Sequence, residues 1–361
     1  MNVNLSTINP EMFMVHAHVI AGETCFLVQP QHIGCAWSQD NKHFRSSVWN
    51  SNGDLISAGF PKFVNWGEKP EHFPVPTSLK GATVVEKLDG SLLIVTRYKG
   101  EFILRTRGTV DARKLDNGYE LDAFEPVLKH LKTYFMQETW EFSILFEWLS
   151  PVNVIVLRYG DQPEFRLIGR VNHKDYSLDS QDRLDVFAGT LGVDRPATYI
   201  FGSTEDLLAQ VDNWKGREGV CIYSKGGQEI HKVKAATYLM LHRFKENATL
   251  ENTVDLYVSY GQPSYGEFEQ KLVQQFDYEC FEMVRGFASS VVDAFKSVKE
   301  IEAGMIQFVK SLSGMSRKDA AMKITSSYGI TNRAAFCFKL LDGKKFGNDE
   351  YKKLLWQVLK K

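Results

Sequence analysis

The sequence has 361 residues, 43% of them hydrophobic and 12% aromatic, and a formal net charge of −1 at pH 7. This composition excludes an intrinsically disordered chain, and the length predicts two or three domains. The five cysteines are scattered and never form a Cys-x-x-Cys pair, which argues against a disulfide framework or zinc ribbon and favours a reducing compartment. No signal peptide pattern is present, and no apolar stretch approaches the roughly 20 residues of a membrane span. We therefore expect a soluble cytoplasmic protein that binds no membrane.

Strand and hairpin patterns dominate the chain from about residue 15 to residue 235. Three glycine-containing dipeptides lie between strand-like segments and predict β-hairpins, at Asn52-Gly53, Lys99-Gly100 and Gly226-Gly227. Residues 139–149 and 153–159 are apolar enough to predict buried strands. Helical spacing of leucine and phenylalanine predicts a helix within residues 121–135, and Ser203 or Thr204 predicts the start of another.

The segment VVEKLDGSLLIVTRY, residues 84–98, places Lys87 beside a tight turn. Asp89-Gly90 between apolar residues predicts a further hairpin, and these residues alone favour that interpretation. The alternative is that Lys87 is a nucleophile, because an ammonium group has no evident structural use at such a turn. The rest of the chain has to decide between the two.

The periodicity changes to a helical one after about residue 245. Val284, Ala288 and Val292 are spaced by four, which predicts an all-α region. Ser316 with Asp319 three residues later, and Asn348 before two acidic residues, predict two further helix starts. We therefore predict two domains, residues 1–244 and 245–361, with SYGQPSYG, residues 259–266, as a linker or entry loop. The predicted fold class is α+β, with antiparallel sheets and interleaved helices followed by the all-α domain.

Charge is distributed unevenly along the chain. Residues 310–361 contain 12 Lys/Arg and 4 Asp/Glu, a local formal charge of +8, so the rest of the chain is acidic. Such asymmetry indicates either a polyanionic partner for the C-terminal region or only a solvated helical face. The sequence supports both interpretations about equally.

Two pairs of basic residues are spaced by two on predicted strands. Lys232 and Lys234 then leave the same face of a sheet, where two like charges cost stability unless an anion lies between them. A phosphate group is the simplest such anion. The same argument applies more weakly to Arg105 and Arg107.

Glu147 and Glu218 lie among bulky apolar residues at predicted strand ends. A buried carboxylate needs a partner or a metal to offset its desolvation. Two such carboxylates near phosphate-binding lysines predict a Mg²⁺ site, because this ion is usually held by one or two carboxylates together with substrate phosphates. No P-loop, dinucleotide-binding or HExxH motif is present to support another chemistry.

Taken in order, these segments carry a resemblance to a known family. They are KFVNWGEKP, EKLDGS, LRTRG, FEWLSPVNVIV, EGVCIY and HKVKA, and with Arg45 they cover about residues 45–240. Their order and spacing resemble the covalent nucleotidyltransferases, whose nucleophile motif is K-x-D-G, and most of all the RNA ligases of the bacteriophage T4 RNA ligase 1 family. Arg45 is followed by Ser46 where this family commonly has glycine.

The resemblance implies an ATP-grasp-like ligase domain in which Lys87 forms a covalent lysyl-AMP with ATP. It implies these further roles: Glu86 and Asp89 near the nucleotide, Glu147 at the ribose or the metal, Glu218 at the metal, Lys232 and Lys234 at the α-phosphate, and Arg45 and Lys62 at the outgoing phosphates. Arg105 and Arg107 would contact RNA or phosphate. For the attack, neighbouring cations and desolvation are expected to lower the pKa of Lys87 from its usual value of about 10.4.

The predicted function is therefore an ATP-dependent RNA ligase that joins 5′-phosphate and 3′-hydroxyl ends and requires Mg²⁺, for which Mn²⁺ can substitute. RNA repair, including tRNA repair, would be its use, in the cytoplasm of an infected bacterium if a phage encodes it. We expect no obligate protein partner, and the +8 region would contribute to the choice of RNA. The alternatives are a DNA or nick-sealing ligase of the same superfamily and a non-catalytic RNA-binding protein on the same fold.

Overall fold

The computed structural model describes residues 1–31, 35–69, 71–276, 278–329 and 331–360. The chain divides into two compact units, Met1–Leu239 and Met240–Lys361. The division at residue 244 and the roles assigned to the two parts stay predictions. Among the described helices, none combines the length and the apolarity that a membrane span requires.

The strands of the described residues all lie in the first unit. In chain order they are β1 (Phe13–Ile20), β2 (Glu23–Pro30), β3 (Ser47–Asn50), β4 (Leu55–Ala58), β5 (Val64–Asn65), β6 (Thr83–Lys87), β7 (Ser91–Tyr98), β8 (Glu101–Arg105), β9 (Phe142–Leu149), β10 (Glu164–Asn172), β11 (Thr198–Tyr199), β12 (Gly219–Ser224) and β13 (Glu229–Lys234). They form three sheets with the orders β1-β2-β3-β4, β10-β9-β7-β8 and β11-β6-β12-β13-β5. Neighbouring strands are antiparallel except the parallel pair β13 and β5. The predicted α+β class with antiparallel sheets is confirmed.

The hairpins form where glycine-containing turns reverse the chain. The three predicted ones are confirmed, between β3 and β4, β7 and β8, and β12 and β13. A fourth joins β1 and β2 through Ala21 and Gly22, whose φ angles of +48° and +75° match a two-residue turn of the type that favours hairpins. The sequence analysis missed it because alanine is an unusual residue at a positive φ.

Two strand predictions are wrong. Asp89-Gly90 does not close a hairpin, because β6 belongs to the five-stranded sheet and β7 to the sheet of β9 and β10. Residues 153–159 form no strand. The backbone N–H groups of Val156 and Leu157 instead donate to a carboxylate oxygen of Asp89, at 2.7 and 2.8 Å. The carboxylate of Asp89 therefore accepts backbone hydrogen bonds that a neighbouring strand was expected to accept.

The helices of the first unit pack against the sheets, and one of them begins at a residue that caps its N-terminus. They are α1 (Glu125–Tyr134), α2 (Gln181–Leu191) and α3 (Thr204–Asp212), and α4 (Ala236–Glu246) runs across the boundary between the units. Ser203 caps α3, because its hydroxyl accepts a hydrogen bond from the N–H of Asp206 at 3.1 Å. α1 and the Ser203 cap confirm the predictions made for those segments.

All regular secondary structure in the described residues of the second unit is helical, as predicted. Its helices are α5 (Leu250–Ser259), α6 (Tyr265–Phe276), α7 (Tyr278–Ser311), α8 (Arg317–Tyr328), α9 (Asn332–Leu341) and α10 (Asn348–Leu359). They pack around the apolar stripe of α7, which includes Val284, Ala288 and Val298. Ser316 caps α8 as predicted. Residues 260–264 connect α5 to α6 inside this unit, so SYGQPSYG does not link the two units.

A buried arginine joins two of the sheets. Arg105, at the end of β8, is 0% exposed, and its guanidinium donates to the hydroxyls of Ser46 and Ser57 at 2.8 and 2.7 Å. It also donates to the carbonyl oxygens of both serines and of Thr106. Its donors are thus used within the protein. The prediction that Arg105 contacts RNA or phosphate is therefore wrong, whereas Arg107 is exposed and lies beyond the end of β8, so its proposed contact stays a prediction.

Replacing Arg105 by lysine should destabilise the first unit by about 2–4 kcal/mol. The ammonium group of a lysine cannot reach all of the oxygen atoms to which the planar guanidinium of Arg105 donates. Some of these buried oxygen atoms would therefore lose their hydrogen-bond donor. Urea unfolding followed by tryptophan fluorescence measures this, because six of the seven tryptophans lie in that unit. Arg107→Lys is the matched control and should change stability by less than about 0.5 kcal/mol. Equal effects of the two substitutions would contradict the structural role.

Candidate active site

Lys87 ends β6 and lies beside the start of β12. The register of the sheet pairs Lys87 with Gly219, and Gly219 in turn with Lys234 of β13. Gly219 has a φ of +148°, and a Cβ there would lie 2.0 Å from the carbonyl oxygen of Val233. Only glycine therefore permits this close approach of β12 to β13. The approach brings the residue before it, Glu218, between the two lysines.

Glu218 joins Lys87 and Lys234 in a buried ionic cluster. One carboxylate oxygen accepts from Nζ of Lys87 and the other from Nζ of Lys234, each at 2.8 Å. The side chain of Glu218 is 2% exposed and the two lysine side chains about a fifth. With so little solvent screening, the carboxylate and the two ammonium groups interact strongly. The structure thus brings together three of the residues that the sequence analysis proposed.

The carboxylates around Lys87 hold its proton. Burial by itself lowers the pKa of Lys87, but the attraction of Glu218 and Glu147 outweighs burial and raises this pKa above its ordinary value. The expected lowering of the Lys87 pKa by its protein neighbours is therefore wrong.

Glu147 faces the same cluster from β9. Its Oε1 accepts a hydrogen bond from the N–H of Gly90 at 3.0 Å. A Cβ on Gly90 would lie 2.6 Å from the carbonyl oxygen of Trp148, so glycine lets this turn pass directly over β9. Burial raises the pKa of Glu147 to about 7, with repulsion from Glu218 adding to burial and Lys87 opposing it. Two carboxylates that repel each other in a buried site favour a bound cation.

This pair of carboxylates fits a divalent cation that also has ligands from elsewhere. The described residues contain no group of three or more His, Cys, Asp or Glu side chains suited to a metal. Mg²⁺ commonly takes only one or two protein carboxylates, with water and substrate phosphates as its other ligands. Glu147 and Glu218 meet that smaller requirement.

Asp89 is a structural residue of the turn after Lys87. It is 4% exposed, and its Oδ1 accepts from the hydroxyl of Tyr238 at 2.6 Å while Oδ2 accepts the two amides of Val156 and Leu157. Its own N–H donates to the hydroxyl of Tyr159 at 2.8 Å. Asp89 therefore ties the turn to a distant loop and to α4, and its carboxylate is already engaged by the protein.

Glu86 lies on the opposite face of β6 from Lys87. Successive strand residues point to opposite faces, and Glu86 lies near Tyr199, where burial and then the charge of Glu86 raise the pKa of the tyrosine. Arg217 lies over the rings of Tyr199 and Trp214, with its Cζ 5.6 and 5.1 Å from the centroids. The structure thus does not bring the side chain of Glu86 into the cluster around Lys87.

A second group of cations lies next to the cluster. The Cζ of Arg45 and the Nζ of Lys232 lie 4.7 and 5.6 Å from the ring centroid of Phe63, and Nζ of Lys62 lies 5.6 Å from the ring centroid of Trp37. Burial, followed by repulsion from neighbouring cations, lowers the pKa of Lys232 to about 8 and that of Arg45 to about 10, and for Arg45 the repelling group is Arg107. The pKa of Lys62 is lowered for the same two reasons.

Close, poorly compensated cations are the electrostatic signature of an anion site. The described contacts of Arg45, Lys62 and Lys232 include no ion pair with a carboxylate. The sequence analysis found these cations but missed Phe63, whose ring two of them approach, and Tyr159 and Tyr238, which form hydrogen bonds with Asp89. The available signal for Phe63 was its place next to Lys62 in KFVNWG; the two tyrosines had none.

Residues 44–248 match the model of the RNA ligase family of the T4 RNA ligase 1 type. The chain is 25% identical over 213 residues to a viral bifunctional polynucleotide kinase/RNA ligase from Autographa californica nuclear polyhedrosis virus. That match covers 54% of this chain and 30% of the viral protein, so the chain spans less than a third of that curated relative.

Two solved structures are similar at lower identity. An archaeal ATP-dependent RNA ligase, form 2, is 15% identical, with 92% of this chain and 93% of that chain covered and a TM-score of 0.46. The Naegleria gruberi RNA ligase with PPi is also 15% identical, with 45% and 51% covered and a TM-score of 0.36. Because the family model covers more than half of the sequence and includes the whole cluster around Lys87, this protein belongs to the RNA ligase family of the T4 RNA ligase 1 type.

Proposed function

We propose that this protein is an ATP-dependent RNA ligase that acts through a covalent adenylate on Lys87. The observation that carries the proposal is the buried cluster in which Nζ of Lys87 lies 2.8 Å from Glu218, beside Lys234 and the cations around Phe63. A buried lysine next to two carboxylates and an anion site has the groups that nucleotidyl transfer requires, a nucleophile, a cation site and phosphate ligands.

In the first step the neutral amine of Lys87 attacks the α-phosphorus of ATP. A P–N bond forms, the bond from the α-phosphorus to the bridging oxygen breaks, and pyrophosphate leaves. Lys232 and Lys234 would neutralise the α-phosphate, and Arg45 and Lys62 would hold the outgoing phosphates. The lowered pKa values of Arg45, Lys62 and Lys232 support this assignment, because a bound polyanion relieves the repulsion that contributes to them.

The AMP group then passes to RNA. A 5′-phosphate oxygen attacks the α-phosphorus and breaks the P–N bond, which returns Lys87 as an amine, and a 3′-hydroxyl oxygen finally attacks the activated 5′-phosphorus and releases AMP. RNA repair, including that of tRNA, is the use we propose. The alternative of a non-catalytic RNA-binding protein leaves the Lys87–Glu218 cluster without a purpose.

Lys87 must lose its proton before the attack, although Glu218 and Glu147 hold it. A bound divalent cation would withdraw negative charge from these two carboxylates and neutralise the phosphates, and Mg²⁺ or Mn²⁺ could serve. Once Glu218 no longer attracts the ammonium group, burial and the charges of Lys232 and Lys234 act together to lower the pKa of Lys87. Glu218 thus keeps the nucleophile inactive until the nucleotide site is filled.

Lys87→Ala should abolish the covalent adenylate, and Lys87→Arg should do the same because a guanidinium does not deprotonate at cellular pH. Incubation with α-labelled ATP and Mg²⁺, followed by denaturing electrophoresis, measures the adduct. Lys80→Ala, at an exposed lysine of the same unit, is the control and should label like the parent. Label on either Lys87 variant would refute the assignment.

In the protein without nucleotide, Lys232 should be acetylated at lower pH than Lys87. The pKa of Lys232 is lowered to about 8, whereas that of Lys87 is raised, so only Lys232 is substantially neutral near pH 8. Competitive acetylation between pH 7 and 11 with peptide mass spectrometry gives the midpoint of Lys232, and Lys87 should stay largely unreacted because its midpoint lies above this range. Glu218→Gln should lower the pKa of Lys87 and so increase its acetylation within this pH range. Acetylation of Lys87 that stays as low as in the parent would contradict the proposal that Glu218 keeps this lysine protonated.

The basic C-terminal region should contribute to RNA affinity. Reversing the charge of the exposed Lys344 and Lys345 to glutamate should weaken binding of single-stranded RNA and reduce the slope of log K against log salt by about one to two. Self-adenylation should be unchanged. The same double reversal at Lys129 and Lys132, which are exposed on α1, is the control, and an equal loss of affinity there would show that only total charge matters.

A further inference from the structure

The first sheet has an open edge formed by β1. β1 pairs with β2 on one side, and no strand of the described residues pairs with its other side. An edge strand of this kind presents a row of unpaired backbone donors and acceptors to any extended chain that can approach it.

The geometry of the hairpin identifies the backbone groups at the open edge. Ile20 and Glu23 close the two-residue turn between β1 and β2, and such a closing pair exchanges both of its backbone hydrogen bonds. Further along, the N–H of Gln31 donates to the carbonyl of Met12 at 2.8 Å. Even-numbered residues of β1 therefore bond to β2, and the N–H and C=O groups of Val15, Ala17 and Val19 point away from the sheet.

This edge lacks the features that usually keep open strands apart. Natural edges are commonly short or carry lysine, proline or a bulge. β1 has eight residues, FMVHAHVI, without a formal charge or a proline, and its pairing with β2 has no bulge. Val15 and Val19 are 39% and 76% exposed. The strand is therefore an apolar, uncharged surface that is free to pair.

The sequence of this strand is the same in both directions around Ala17. Residues 15–19 are Val-His-Ala-His-Val, and Ala17 is one of the residues whose backbone groups face outward. We propose that β1 is the contact surface of a homodimer, in which it pairs antiparallel with β1 of a second copy about a two-fold axis through Ala17.

The two-fold arrangement satisfies each open backbone group of the strand. Ala17 exchanges both hydrogen bonds with Ala17 of the second copy, and Val15 does the same with Val19 of the second copy. The histidines at 16 and 18 then face each other between these pairs. A second copy is favoured over another partner because a two-fold contact requires a self-complementary strand, and an uncharged strand meets its own copy without like-charge repulsion.

Sedimentation velocity of the full chain over a concentration series tests the dimer. Two double variants test its register, since both replace the same exposed valines. Val15→Lys with Val19→Glu places opposite charges across the axis and should keep the dimer. Val15→Lys with Val19→Lys places like charges there and should raise the dissociation constant about tenfold or more.

Ala17→Pro provides an independent test. Its N–H points away from β2, so proline is tolerated in the monomer at this edge position but removes the central bonds of the dimer. Val186→Lys is the control, because Val186 is 74% exposed on α2 and lies outside the proposed contact. Circular dichroism verifies that each variant is folded.

The expected result is a dimer for the parent, the Lys/Glu variant and Val186→Lys, and a monomer for the Lys/Lys variant and Ala17→Pro. A parent that stays monomeric at high concentration would overturn the proposal. So would a dimer that survives Ala17→Pro, or a Lys/Glu variant that dissociates as readily as the Lys/Lys variant.

Discussion

The arrangement of this site depends on one ionic contact, the carboxylate of Glu218 between the ammonium groups of Lys87 and Lys234. None of the three charges could be buried alone without a large desolvation cost. Together they fix where β6, β12 and β13 meet, and Gly219 removes the side chain that would keep these strands apart. The same contact keeps the proposed nucleophile protonated. A single carboxylate therefore stabilises the site and restrains its reactivity.

The charged side chains around this contact form two groups, one that a bound cation would stabilise and one that a bound anion would stabilise. Glu147 and Glu218 are acidic groups that a cation would stabilise, and Arg45, Lys62 and Lys232 are cations that an anion would stabilise. A nucleotide with its divalent metal supplies both kinds of charge at once. Much of the binding energy would then come from relieving the repulsion between charges that folding has brought together.

The sequence was sufficient to predict contacts that follow from strand periodicity and motif order. Lys232 and Lys234 share a face because they are two residues apart, and motif order singled out Lys87, Glu147 and Glu218, which the structure brings close together. The sequence was insufficient to predict contacts between segments that are far apart in the chain. Asp89 resembled a hairpin residue because its partners, Val156 and Leu157, are more than 60 residues away. The burial of Arg105 likewise exists only because two sheets meet.

Arg105 has a consequence for the evolution of this chain. Its guanidinium depends on the hydroxyls of Ser46 and Ser57, and glycine at position 46 would remove one of these two acceptors. A relative with glycine there must satisfy the arginine differently or do without it. These three positions should therefore co-vary among homologues, and a substitution tolerated at one of them in another ligase cannot be assumed neutral in this one.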